Sequence, residues 1–230
     1  MNARETWIVT GGTGALGRAI VDAALADGRR VVVPWIVAAE RDGLAAAHGN
    51  ALADGALVAV EADVTEAAGA RAVAEQAGAA DVLVNGVGGF GGGAPIHETD
   101  LDLWDRMYRL NVRSAAAMVR AVAPGMIARR RGTIVCVASQ AALDAPPGIA
   151  AYAASKASVI VLVRALQQEL RAHGIRVNAV VPTTIDTPAN RKAMPDADPG
   201  AWTPPARIAD VIRWLASEAG ATVGGGLIPV

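Results

Sequence analysis

Cysteine is almost missing from this chain. Cys136 is the single thiol among 230 residues, so no intrachain disulfide can form. It lies in the apolar run Thr133–Ala138, where a small buried hydrophobe is the expected role and a reactive thiol is not. Histidine is scarce too. His48, His97 and His173 are the only three, and they lack metal-ligand spacing, so no metal is expected. Net charge is close to nil at −1, which gives no global reason to bind nucleic acid or an anionic membrane. The one basic run, Arg129 to Arg131, follows an apolar helical stretch and precedes Gly132. It is read as complementing a helix C-terminus. No apolar stretch is long enough to span a bilayer, and no signal-peptide pattern precedes the first apolar run. A soluble, cytoplasmic protein is the expectation. Apolar residues make up 53% of the chain against 19% charged, enough for a substantial core and unlike a disordered chain.

Short apolar runs alternate with helix-length segments. Strand candidates are Thr6–Thr10, Arg30–Val33, Ala56–Glu61, Asp81–Asn85, Thr133–Ala138, Arg176–Val181 and Gly226–Ile228. They are rich in Val and Ile without polar alternation, as strands buried on both faces of a parallel sheet are. Helical patterns run over Leu16–Asp27, Ala38–His48, Glu66–Ala77, Leu101–Ala128, Ala151–His173 and Pro205–Ser217. This rhythm predicts an α/β fold: one Rossmann-like, doubly wound domain over residues 1–230, with a seven-stranded parallel sheet flanked by helices on both faces. Two segments break the pattern. Gly86 to Pro95 carries six glycines and Phe90, the composition of a loop that a ligand approaches closely. Pro182 to Pro205 is rich in Pro, Thr and Asp, and is where a substrate lid is expected.

Thr10 to Gly17 joins the first strand to the first helix through a glycine-rich turn. Glycines there let backbone approach a pyrophosphate, and the helix N-terminus supplies free N–H groups and a favourable dipole. Farther on stands Tyr152-Ala-Ala-Ser-Lys156, with Ser139 thirteen residues before the tyrosine. On a helix Tyr152 and Lys156 share one face. An ammonium beside a phenol favours the phenolate, and such a tyrosine can exchange a proton with a substrate oxygen near neutral pH.

With these residues in place the chain resembles the short-chain dehydrogenase/reductase family in its compact form. That family's turn reads Thr-Gly-x-x-x-Gly-x-Gly; Thr10, Gly11 and Gly17 match, while Ala15 stands at the middle glycine with Gly14 just before it. The resemblance implies that Gly11, Thr13, Gly14, Leu16 and Gly17 frame the cofactor phosphates. It makes Asp63 and Val64 adenine contacts. Asn85, Gly86 and Val87 correspond to the family's Asn-Asn-Ala-Gly segment, changed at its second and third positions. Asn111, Ser139, Tyr152 and Lys156 match the catalytic tetrad. Ser139 would hold the substrate oxygen, Tyr152 exchange its proton, Lys156 lower the tyrosine pKa and bind the ribose, and Asn111 hold a water leading to solvent. Pro182 opens the segment toward the nicotinamide, where Thr183 replaces the usual glycine, and Ile185 and Thr187 fall where the carboxamide is held.

The resemblance implies an NAD(P)-dependent oxidoreductase interconverting a carbonyl and a secondary alcohol. The residue that discriminates NAD from NADP should lie just past the second strand. Trp35 takes the usual Asp position and Ile36 the usual Arg position, so neither recognition device is present. Arg18 and Arg41 are the nearby cations. NAD(H) is slightly favoured over NADP(H). Substrate contacts fall to Ser139, Gln140 and Tyr152, with Phe90, Leu143, Ile149, Met194 and Trp202 as further wall candidates. Two other readings stay open: C=N reduction as in dihydropteridine reductases, which share Gly-Ala-Leu-Gly, and a dinucleotide-binding sensor without catalysis. In the family's manner, the helices over Leu101–Ala128 and Ala151–His173 are expected to pair with a second subunit, as a homodimer or homotetramer.

Overall fold

The computed structural model describes residues 4–230. Its centre is a seven-stranded, fully parallel sheet in the order β3-β2-β1-β4-β5-β6-β7. The strands are β1 (Thr6–Thr10), β2 (Arg30–Trp35), β3 (Leu57–Glu61), β4 (Ala80–Asn85), β5 (Gly132–Val137), β6 (Ile175–Val181) and β7 (Leu227–Pro229). All seven lie on the expected segments, with ends shifted by a residue or two. The order reverses between β1 and β4, so a crevice opens there beyond the carboxyl ends of the strands.

Side chains of the strands alternate between two apolar layers, which is why both faces must be covered. Trp7 and Val9 of β1 join Ile20 and Val21 of α1 (Ala15–Ala26) and Ile208 and Ile212 of α10 (Pro205–Ala216). Ile8, between them, faces the other layer. That layer takes Val73 of α4 (Ala67–Ala77), Met118 of α6 (Ser114–Arg129) and Val163 of α8 (Ala150–Leu170). Each fully buried aliphatic side chain of this kind contributes on the order of 2 kcal/mol.

The predicted helix Leu101–Ala128 is interrupted. It runs as α5 (Leu101–Tyr108), then a π-helical turn over Arg109–Arg113, then α6. A π turn adds a residue to the spiral and re-aims the side chains it carries; here it carries Asn111. The remaining α-helices among the described residues are α2 (Ala38–Ala47), α3 (Gly49–Ala53), α7 (Ala141–Asp144) and α9 (Pro188–Ala193). Among the described residues, no helix is long and apolar enough to cross a membrane.

The 182–205 segment is more ordered than its composition suggests. The Asp186 N–H donates to Thr203 O at 2.9 Å and the Thr203 N–H to Thr184 O at 2.9 Å, which ties the base of the segment shut. Arg191 caps it with a two-pronged ion pair to Asp186, at 2.6 and 2.8 Å.

Candidate active site

The turn after β1 is shaped by backbone-to-backbone contact. Gly11 has φ +70°, and a Cβ there would stand 2.8 Å from Gly86 C and O. At Gly17 a Cβ would stand 2.0 Å from Gly11 O. Gly14 differs: its nearest neighbour would be Gly11 O at 3.5 Å, an ordinary contact. Gly14 is the N-cap of α1, which has no side-chain cap and no acid in its first turn. The first N–H groups of that helix are therefore left for a ligand. Ala15, the residue that departs from the family turn, is exposed at the first helical position, where a methyl is harmless. Thr10 stitches this turn to the next loop: its hydroxyl accepts from the N–H groups of Gly86 (3.1 Å) and Val87 (3.2 Å).

Above the turn lies a cavity of about 320 Å³. Gly11, Thr13, Gly14, Trp35, Asp63, Val64, Gly86 and Val87 line it, as does Gly88. Leu16, Gly17 and Asn85, also expected to frame the cofactor, do not. Leu16 packs against the core, Gly17 is buried beneath the turn, and Asn85 is buried at the end of β4. The Asn85 amide donates to Cys136 Sγ at 3.6 Å, while its oxygen is buried without a partner. Cys136 is fully buried and its thiol is pushed up to about 11, mainly by desolvation, so it stays protonated.

On the cavity rim, Asp63 accepts from the N–H (2.9 Å) and hydroxyl (2.7 Å) of Thr65 and pairs with Arg109 at 3.0 Å. Burial opposes its charge, but these bonds and the Arg109 and Arg113 charges outweigh burial and lower its pKa. Arg109 belongs to the π turn, so one guanidinium links the Asp63 rim of the cavity to the turn that carries Asn111. No pattern in the chain marked Arg109.

The four tetrad residues come together beside this cavity. Asn111 is buried; its oxygen accepts from Gly89 N–H at 2.8 Å, and its amide donates to Gly89 O (3.1 Å) and Ser155 Oγ (2.8 Å). Ser155 in turn donates to Tyr152 O at 2.7 Å. Asn111 thus holds the Gly-rich loop and the tyrosine's own turn. Ser155 lay within the Tyr-to-Lys motif, but its bridging role follows only from the π turn opposite. Lys156 is buried and donates to Val137 O at 2.8 Å. Ser139 is buried, its hydroxyl accepting from Ala141 N–H at 3.2 Å. Gly88 connects cavity and tetrad: a Cβ there would stand 2.6 Å from Asn111 Oδ1 and 3.3 Å from Lys156 Nζ.

The expected lowering of the Tyr152 pKa is corrected by the fold. Burial pushes the phenol upward; the Ser139 hydroxyl pulls the other way without reversing it. The Lys156 amine is held at the Val137 carbonyl and does not offset the desolvation. Desolvation also lowers Lys156 to about 8, from an ordinary 10.5. Between those two values the unfolded chain keeps a proton that the folded chain has lost, so stability rises with pH across the window. Below about pH 8 the full cost of burying the ammonium is present. Lys156→Met should therefore melt higher than the parent near pH 7, with an advantage that shrinks toward pH 10. Calorimetry of both proteins at several pH values checks this; an offset independent of pH counts against a buried ammonium.

Two of the residues expected at a substrate wall touch. The Phe90 and Tyr152 rings pack edge to face, centroids 5.0 Å apart. The Gly93 N–H donates to Gly148 O at 2.8 Å, joining the Gly-rich loop to the 140–149 segment. Gln140, read as a substrate contact, gives its side-chain amide to Asp144 at 2.8 Å. Pro182 is buried and its carbonyl accepts from the Gln140 N–H, also at 2.8 Å. Thr187 caps α9 by accepting from Asn190 N–H, and the Asn190 amide holds Ile185 O at 2.8 Å. None of Pro182, Ile185 and Thr187 lines the cavity above the turn.

Similarity to known proteins agrees with this architecture. The family model described as short chain dehydrogenase matches residues 5–198. The chain is 35% identical to 2-(R)-hydroxypropyl-CoM dehydrogenase of Xanthobacter autotrophicus, over 95% of this chain and 93% of the relative. Among solved structures, a 3-oxoacyl-[acyl-carrier protein] reductase from Brucella melitensis with bound NAD superposes with a TM-score of 0.88 at 29% identity, covering 100% and 92% of the two chains. A blue fluorescent protein from a metagenomic library, in complex with NADPH, gives 0.88 at 31% identity, covering 100% and 98%. The chain belongs to the short-chain dehydrogenase/reductase family of oxidoreductases.

Proposed function

We propose that this protein interconverts a carbonyl and a secondary alcohol with a nicotinamide dinucleotide, and that Asn111, Ser139, Tyr152 and Lys156 carry the chemistry. The observation that supports this most directly is Gly88, which lines the cavity above the turn and abuts both Asn111 Oδ1 and Lys156 Nζ. A ligand lying along the glycine loops is thereby brought to the tetrad. The residues present fit the dinucleotide: uncapped N–H groups of α1 suit the pyrophosphate, and the Asp63–Val64 rim suits the adenine.

When bound, the nicotinamide supplies or accepts the hydride. Ser139 donates a hydrogen bond to the substrate oxygen as negative charge grows there. Tyr152 delivers its phenolic proton to that oxygen in reduction and recovers it in oxidation. With its pKa raised, Tyr152 is a phenol at neutral pH, the form that reduction needs. Lys156, largely an ammonium below about pH 8, would hold the ribose hydroxyls once the dinucleotide is bound. Asn111 orders the Gly-rich loop against the tyrosine's turn. The oxyanion role of Ser139 favours a carbonyl over a pterin-like C=N bond. One domain would perform both cofactor binding and catalysis. Exposed Leu101 and Tyr108 on α5 and Val161 on α8 support assembly into a homodimer or homotetramer.

A panel of ketones, secondary alcohols and a dihydropterin, followed by nicotinamide absorbance, tests the reading. Turnover of a ketone or alcohol is the expected result. Tight dinucleotide binding with silence across the panel would favour a sensor instead.

A further inference from the structure

We infer that Glu40, on α2, selects NAD(H) by keeping a 2′-phosphate out of the cavity. The inference rests on the dinucleotide reading above and names the residue that decides between its two forms. The chain lacks the usual acid at the end of β2, where Trp35 stands, and of the two superposing structures named above one holds NAD and the other NADPH.

Among the described residues, the only two charged ones that line the cavity are Glu40 and Asp63, and both are acids. Asp63 is neutralised by Arg109 at 3.0 Å. Among the described residues, no cation forms an ion pair with the Glu40 carboxylate. Its Oε2 instead accepts from the Thr13 hydroxyl at 2.7 Å. Thr13 belongs to the phosphate turn itself, so the carboxylate is pinned where α2 meets that turn, on the same stretch of wall as Trp35 and Ile36. A ribose joining an adenine at Asp63 to a pyrophosphate at Gly14 passes this wall. A carboxylate accepts a hydrogen bond from a 2′-hydroxyl and repels a 2′-phosphate, which carries close to two negative charges at neutral pH.

The two cations that might have welcomed that phosphate are engaged elsewhere. The Arg18 side chain donates to Thr13 O (2.8 Å) and Glu40 O (3.1 Å). It lies against Gly43, where a Cβ would stand 2.5 Å from its Nη2. Arg41 pairs with Asp42 at 2.9 Å, its guanidinium 5.0 Å from the centre of the Trp35 ring. Neither lines the cavity.

Glu40→Gln isolates the charge, because a glutamine oxygen can still accept from Thr13. Fluorescence titration of NADH and NADPH against parent and variant reads the effect without catalysis. The parent should bind NADH about tenfold tighter or more, a difference of about 1.4 kcal/mol. The variant should shrink that ratio about tenfold, chiefly by binding NADPH better. Equal or reversed affinities in the parent, or an unchanged ratio in a variant that still binds NADH, overturn the role of Glu40 and leave the dinucleotide reading standing. Failure of the parent to bind either nucleotide overturns both.

Discussion

Tyr152→Phe should lower turnover by roughly 10²- to 10⁴-fold, the contribution typical of a positioned general acid, while leaving dinucleotide affinity near that of the parent. The substitution removes one oxygen and keeps the ring. The edge-to-face contact with Phe90 survives, because it depends on the ring. The Ser155 bond survives too, because it is made to the Tyr152 main-chain oxygen. Lys156 stays bonded to Val137 O, so the amine offered to the ribose is undisturbed. What disappears is the proton donor beside Ser139. Single-turnover rates with a substrate found in the panel, set beside fluorescence titration of the cofactor, separate chemistry from binding. A variant with near-normal rate would remove Tyr152 from the mechanism. Loss of cofactor affinity together with rate would mark a structural role.

The seven strands were legible because burial on both faces leaves a plain signature, runs such as Trp7-Ile-Val and Ile134-Val-Cys whose alternate residues feed two cores. The four candidate catalytic residues stand out because each sits in a short local motif, Ser139 just past β5 and Asn111, Tyr152 and Lys156 on helical turns. Other features depend on packing between distant segments. The π turn over Arg109–Arg113 has no proline or glycine to announce it, and only the pairing of Arg109 with Asp63 and of Asn111 with Gly89 and Ser155 makes sense of it. Nothing in the local sequence marks Glu40, because the family pattern puts discrimination at Trp35 and the Thr13 contact crosses 27 residues. The Tyr152 shift runs opposite to what spacing implies for a related reason. Spacing puts Lys156 on the same helical face, but burial dominates the phenol, and the amine is drawn to Val137 O.

Gly17→Ala should cost about 3 kcal/mol or more, the upper range for forcing atoms into a packed interior. In a chain of this size that lowers the melting temperature by roughly 6–12 °C. The added methyl would stand 2.0 Å from Gly11 O and 2.6 Å from Gly11 C and Gly12 Cα. All three are backbone atoms, so no side chain can swing away to relieve the clash. Relief requires α1 to lift off the turn, and α1 is locked by Ile20 and Val21 in the core. Gly14→Ala provides the contrast. Its nearest obstacle is Gly11 O at 3.5 Å, and the position is exposed with φ −80°, which any residue adopts. This second variant should melt within about 3 °C of the parent, equivalent to about 1 kcal/mol or less. Its methyl instead enters the cavity at the head of α1, where backbone must approach the pyrophosphate, so its loss should appear in cofactor affinity. Thermal melts with and without NADH distinguish the two glycines. The first variant is destabilised in both conditions. The second matches the parent alone and gains less from the nucleotide, because ligand stabilisation follows affinity. If both variants melted alike without nucleotide, the division between a glycine that closes the turn and one that faces the ligand would fail.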